Sequence, residues 1–163
     1  MEPVAVSRYQ EGRGMLVVKK FGGSSVADRE RILNVARRCI EDYNKGNDVV
    51  VVLSAMGKTT DGLIAKAHEI TESPSRRELD MLLATGEQVS VALMAMAIQS
   101  LGVQAISLNA AQVPMKTTSA YGQAKLKRID TERIQNELDA RKIVIITGFQ
   151  GVNKFDDLTT LGR

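Results

Sequence analysis

The sequence predicts an α/β fold, a three-layer αβα sandwich built around a mainly parallel sheet. Three observations point to it. Short apolar, β-branched runs recur at residues 15–21, 48–54, 103–108 and 142–148. Those at 48–54 and 142–148 are almost continuously apolar, the pattern of strands covered on both faces. Segments of helical periodicity lie between the runs, and alternating strands and helices assemble most readily as crossover units on a parallel sheet.

Each element can be justified in order. Met15-Leu16-Val17-Val18-Lys19-Lys20-Phe21 is closed by Gly22-Gly23, so it reads as a buried strand entering a tight loop. Over 28–43 the period changes, and Ile32, Ala36, Cys39 and Tyr43 fall on one helical face. Ser25 or Asp28 can cap that helix and Gly46 stops it. Cys39 lies on the apolar face and reads as a core thiol. After the strand at 48–54, residues 61–72 read as a helix broken by Ser73-Pro74-Ser75. His68 is an ordinary residue of that helix. A longer helix starts near Arg76, passes Gly86-Glu87 and reaches about Leu101. Its Met81, Leu82, Leu93, Met94, Met96 and Ile98 suit core or dimer packing. A strand at 103–108 follows, then a helix capped by Asp130 or Thr131 that carries Ile134 and Leu138. The strand at 142–148 comes next, and residues 156–163 read as a loop.

Composition narrows the chemistry. A length of 163 residues favours one domain, and the single Cys39 excludes an intramolecular disulfide framework. With His68 the only histidine, a multi-histidine zinc centre is impossible. The 22 basic and 19 acidic residues give a net charge of +3, dispersed along the chain, which suits a small anionic substrate. Charge alone leaves nucleic acid open, but 4% aromatic residues and no Trp supply few stacking platforms, so no nucleic-acid partner is expected. No window reaches the ~18 uninterrupted apolar residues of a membrane span, so none is expected. Residues 1–14 lack the apolar centre of a secretory signal and read as a flexible leader before a domain at 15–163, with the cytoplasm as the default compartment.

Ligands of open parallel sheets gather at the carboxyl ends of the strands. Three such ends are rich in glycine and hydroxyl residues: Lys20-Phe21-Gly22-Gly23-Ser24-Ser25, Ser54-Ala55-Met56-Gly57-Lys58-Thr59-Thr60-Asp61, and Thr147-Gly148-Phe149-Gln150-Gly151. The first combines a lysine with glycines ahead of a helix, the ingredients of a phosphate cradle. Taken by itself, the loop is better read as a tight strand-to-helix turn with a solvated lysine. Gly57-Lys58-Thr59 mimics the end of a P-loop, but the required first glycine falls on Val52. Gly12-Arg13-Gly14 opens like a dinucleotide fingerprint, yet Val17 stands at the third glycine. Glu87 is either a solvated helix residue or an acid turned toward a ligand ammonium.

In combination the motifs are more specific. Lys20-Phe21-Gly22-Gly23-Ser24-Ser25-Val26 resembles the opening signature of aspartate kinases, in which Ser24 is commonly Thr. Leu53-Ser54-Ala55-Met56-Gly57 through Thr60-Asp61 resembles their second signature. Gly86-Glu87, Gly148-Phe149-Gln150-Gly151 and Thr159-Thr160-Leu161-Gly162-Arg163 follow in the family's order. The resemblance covers residues 15–163 and implies the amino-acid kinase fold.

That resemblance implies transfer of the γ-phosphoryl group of ATP to the β-carboxylate of L-aspartate, a step toward lysine, threonine and methionine. Magnesium would arrive with ATP, with no metal site in the chain itself. Lys20 would neutralise the phosphoryl group, with Gly22, Gly23 and Ser24 around it. Ser54 and Thr60 would line the aspartate pocket, Glu87 would pair with the substrate ammonium, and Arg163 would grip its α-carboxylate. The family also implies a homo-oligomer. Aspartate kinases continue past Leu-Gly-Arg into a Gly-Gly-Ser-Asp loop and the rest of the nucleotide site. The catalytic domain is therefore expected to be incomplete at its C-terminus, and the 163 residues alone to have little or no kinase activity. Two alternatives stay open: acetylglutamate or glutamate 5-kinase, and a non-catalytic module for anion binding or assembly.

Overall fold

The computed structural model describes residues 6–7 and 14–162. Its main sheet joins β1 (Val6–Ser7), β2 (Leu16–Phe21), β3 (Asp48–Leu53), β4 (Ala105–Leu108) and β7 (Ile143–Thr147) in the order β1-β2-β3-β7-β4. β2, β3, β7 and β4 run parallel, and β1 pairs antiparallel with β2. Most of the leader expected over 1–14 falls outside the described residues.

Helices cover both faces of this sheet. α1 (Arg29–Asn44) and α3 (Arg76–Ser100) pack on one side, over Val49, Val51, Leu53, Ile143 and Ile145. α4 (Glu132–Asp139) closes the other, where Leu138 meets Val50, Val144 and Ile146. Alternate residues of β3 and β7 thus point into two different cores, as a doubly covered strand requires. The expected three-layer arrangement is present. α2 (Thr59–Ile70) lies against α3 with no fully buried residue.

Local chemistry explains the boundaries. Asp28 caps α1, its Oδ1 accepting the backbone N–H of Arg31 at 2.9 Å. Gly46 ends the helix with φ +88°, a conformation costly for any residue with a Cβ. Cys39 is completely buried in the α1 core, and burial pushes its thiol pKa up to about 12. α3 is long and apolar enough, by length and composition, to cross a membrane, but half of that window is buried within this fold. The methionines divide: Met94 is buried, whereas Met81 and Met96 are exposed with Val89 and Leu93.

A second sheet of four strands, ordered β6-β5-β8-β9, was not anticipated: β5 (Met115–Thr117), β6 (Leu126–Ile129), β8 (Gln150–Val152) and β9 (Leu158–Thr160). This corrects the reading of 156–163 as a loop. Thr159 and Thr160 are buried in β9, and the Thr159 hydroxyl meets that of Thr117 at 2.7 Å. Gly151 allows the crossing, because a Cβ there would lie 2.2 Å from Thr117 Cγ2.

Candidate functional site

Register brings the three glycine-rich loops to one edge. Phe21 pairs with Leu53, and Leu53 with Thr147, so β2, β3 and β7 end side by side. Backbone bonds then lace the loops together. Ser54 N–H donates to Phe21 O at 3.2 Å, Gly148 N–H to Leu53 O at 2.9 Å, and Gly57 N–H to Gly23 O at 3.0 Å. Gly23 is needed for this approach, since a Cβ there would sit 2.5 Å from the carbonyl oxygen of Ala55. Around Gly22, by contrast, a Cβ would meet nothing within 4 Å.

Strand alternation separates the adjacent lysines. Lys19 pairs with Asp42 of α1 and donates to Arg38 O. Lys20 points to the other side, is exposed, and has no hydrogen bond or ion pair among the described residues. Gly22 and Gly23 are partly exposed and Ser24 is open to solvent in the short 3-10 turn Gly23–Val26. Ser54 and Thr60 are half-buried, with Thr60 in the first turn of α2, whose N-terminus favours negative charge.

α3 supplies the other wall through a polar stripe on its otherwise apolar inner face. Glu87, 2% exposed, accepts Ala55 N–H at Oε1 across 3.2 Å. Ser90 donates its hydroxyl to Ser54 O at 2.8 Å. One turn before Glu87, the carbonyl of Ala84 accepts Gln150 Nε2 at 3.0 Å. Gly86 permits the close packing, as a Cβ there would come 2.9 Å from Ala55 Cβ. Farther along, Asp80 is 1% exposed, with Oδ2 accepting the N–H groups of Gly122 and Thr160, each at 2.9 Å, and Oδ1 accepting the Thr160 hydroxyl at 2.7 Å. The sequence reading passed over Asp80 and Ser90; spacings of seven and three residues from Glu87 were the available signal.

Phe149 turns the chain from β7 into β8 with φ +63°, unusual for a bulky residue. Its carbonyl accepts Leu161 N–H at 2.8 Å, and Gly162 N–H reaches Ala124 O at 3.2 Å. The segment Thr160–Gly162 borders an open cleft of about 880 Å³, whose walls include Asp80, Leu83, Phe149 and Leu126. Arg163 lies outside the described residues. The structure therefore gathers Lys20, Gly22, Gly23, Ser24, Ser54, Thr60 and Glu87 along one edge, on the end of β2, the loops after β2 and β3, the first turn of α2 and helix α3. Thr147, at the same edge, has a fully buried hydroxyl with no hydrogen-bond partner among the described residues.

Residues 15–162 match the amino acid kinase family. The chain belongs to that family. Aspartokinases of Bacillus sp. (strain MGA3) and Geobacillus stearothermophilus are 53% and 54% identical over 148 residues, covering 91% of this chain and 36% of theirs. This amino acid kinase chain thus spans about a third of the length of those relatives. The crystal structure of aspartate kinase from Synechocystis superimposes with a TM-score of 0.77 at 44% identity, covering 91% of this chain and 24% of that one. E. coli aspartokinase III, solved with aspartate and ADP, shares the fold with a TM-score of 0.79 at 24% identity, over 91% of this chain and 43% of its own.

Proposed function

We propose that this amino acid kinase provides the phosphate loop and most of the amino-acid pocket of an aspartate kinase, which transfers the γ-phosphoryl group of ATP to the β-carboxylate of L-aspartate. One observation carries the reading: the Lys20–Ser24 loop is laced to the Ser54–Thr60 loop, with the buried carboxylate of Glu87 bonded into the second. Relatives of about 50% identity that bear the aspartokinase name favour aspartate over other acceptors.

In the reaction, a β-carboxylate oxygen attacks the γ-phosphorus. The new P–O bond forms as the bond to the β,γ-bridging oxygen breaks, and ADP leaves with that electron pair. The attacking carboxylate is already ionised, so no general base is required. Catalysis is then positioning plus charge stabilisation. Lys20, without a hydrogen bond or ion pair among the described residues, neutralises the transferring group, and Gly22, Gly23 and Ser24 approach it with little side-chain bulk. Ser54 and Thr60 line the pocket, Glu87 holds the substrate ammonium, and Arg163 takes its α-carboxylate in a bidentate fork. Magnesium bound with the nucleotide would supply the remaining charge neutralisation.

We further place the start of the catalytic unit at Met15, the protein in the cytoplasm, and its assembly as a homo-oligomer. The test is ATP-dependent hydroxamate formation by the intact protein bearing these residues, with aspartate, glutamate and N-acetylglutamate compared as acceptors. Aspartate should lead in kcat/KM. Preference for either other acceptor transfers the reading to that kinase, and activity with none supports the non-catalytic alternative.

A further inference from the structure

We propose that Gly86 is a positioning residue for phosphoryl transfer: carrying no side chain, it seats Ala55 against α3 and thereby sets where the glycine-rich loop after β2 stands. The inference rests on the proposed kinase activity. Gly86 is buried in the interior of a 25-residue helix, a place where glycine is among the least favourable residues. Its φ is not positive, so the backbone there would accept any L residue. The reason for glycine is space. A Cβ at position 86 would stand 2.9 Å from Ala55 Cβ, against about 3.5–4.0 Å for carbon atoms in ordinary contact. Thr59 Cγ2 and Leu63 Cδ1, at 3.5 and 3.6 Å, would tolerate it. Gly62, inside α2, is the contrast, because a Cβ there meets nothing within 4 Å.

Ala55 is the point where three segments meet. Its N–H donates to Glu87 Oε1 at 3.2 Å, and the carbonyl of the preceding Ser54 accepts the Ser90 hydroxyl at 2.8 Å. The Ala55 carbonyl lies so near Gly23 that a Cβ there would come within 2.5 Å of it, and Gly57 N–H donates to Gly23 O at 3.0 Å. α3 and the loop after β2 are thus both fitted to Ala55, which sets the spacing between them. A methyl at position 86 displaces Ala55 from α3 by about 0.6–1 Å, the shortfall from ordinary carbon contact. That displacement reaches Gly23 and its loop through the Ala55 carbonyl and the Gly57 bond. Misplacing reacting groups by about 1 Å can slow a reaction by about 100-fold.

The test is steady-state kinetics and amide hydrogen exchange on the intact protein. Gly86→Ala should lower kcat with aspartate by at least about tenfold. Ala55→Gly in the same chain removes the opposing methyl and should restore kcat to within about threefold of wild type. Gly62→Ala, in open space, should stay within about twofold. Exchange at the Ala55 and Gly57 amides should quicken in Gly86→Ala and slow again in the double variant. Wild-type kcat in Gly86→Ala, a loss that Ala55→Gly does not relieve, or unchanged exchange at both amides would overturn the proposal. Should Gly86→Ala alone fail to fold, the double variant is read in its place: kcat within about threefold of wild type supports the proposal, and a folded double variant slowed tenfold or more overturns it. Exchange reads the seating of Ala55 without turnover. Wild-type protein inactive with every acceptor, but with the exchange pattern expected, therefore overturns the functional reading and not the contact.

Discussion

Glu87 on α3 accepts the backbone N–H of Ala55 across 3.2 Å, so the acid assigned to the substrate ammonium also anchors the loop after β3. The two duties can be separated. Glu87→Gln keeps an oxygen for Ala55 N–H but removes the charge. It should leave the fold intact by circular dichroism and raise the aspartate KM by about 10- to 100-fold. An unchanged aspartate KM would remove Glu87 from the pocket.

Neighbouring glycines should respond differently to the same change. Gly23→Ala sets a methyl against the Ala55 carbonyl at 2.5 Å, whereas Gly22→Ala meets nothing within 4 Å. Urea denaturation should show Gly23→Ala destabilised by about 1–3 kcal/mol. Gly22→Ala should stay within about 0.5 kcal/mol of wild type and lose activity, because its methyl occupies the room kept for phosphate. Equal stabilities would mean that the close approach of the two loops costs nothing to disturb.

Cys39 gives a pH dependence of defined sign. Burial raises its folded pKa to about 12, with Lys19 opposing and Asp42 adding to the shift. The unfolded thiol ionises at lower pH, so the native state binds more protons between the two values. This contribution to stability is full below the unfolded pKa and declines as pH rises toward 12. Wild type should therefore lose up to about 1.4 kcal/mol per pH unit more than Cys39→Ala in that window. Parallel stability curves for the two proteins would contradict the buried neutral thiol. Ellman's reagent at pH 8 should label Cys39 only after denaturant is added.

Much of the scaffold was legible because its signals are local. Val49–Leu53 and Ile143–Ile146 are apolar without interruption, and Ile32, Ala36 and Cys39 mark the buried face of α1 by spacing alone. The second sheet was illegible for the converse reason. β5, β8 and β9 have three residues each, and their partners are remote: Lys116 pairs with Val152 and Ala124 bridges to Leu161. No periodicity develops over so few residues. Glu87 was ambiguous by nature, since a carboxylate on an apolar helix has two meanings until the Ala55 amide stands opposite it. Asp80 carried no signal in its immediate neighbours, because all three of its donors come from residues 122 and 160.

If chemistry happens where β2, β3 and β7 end together, the two adjacent lysines must differ in their effect on turnover. Lys20 faces that edge without a partner among the described residues, while Lys19 is committed to Asp42. In ATP-dependent aspartyl hydroxamate formation by the intact protein, Lys20→Ala should lower kcat by about 100-fold or more, with Lys19→Ala within about twofold of wild type. A Lys20→Ala enzyme with wild-type kcat would contradict the account.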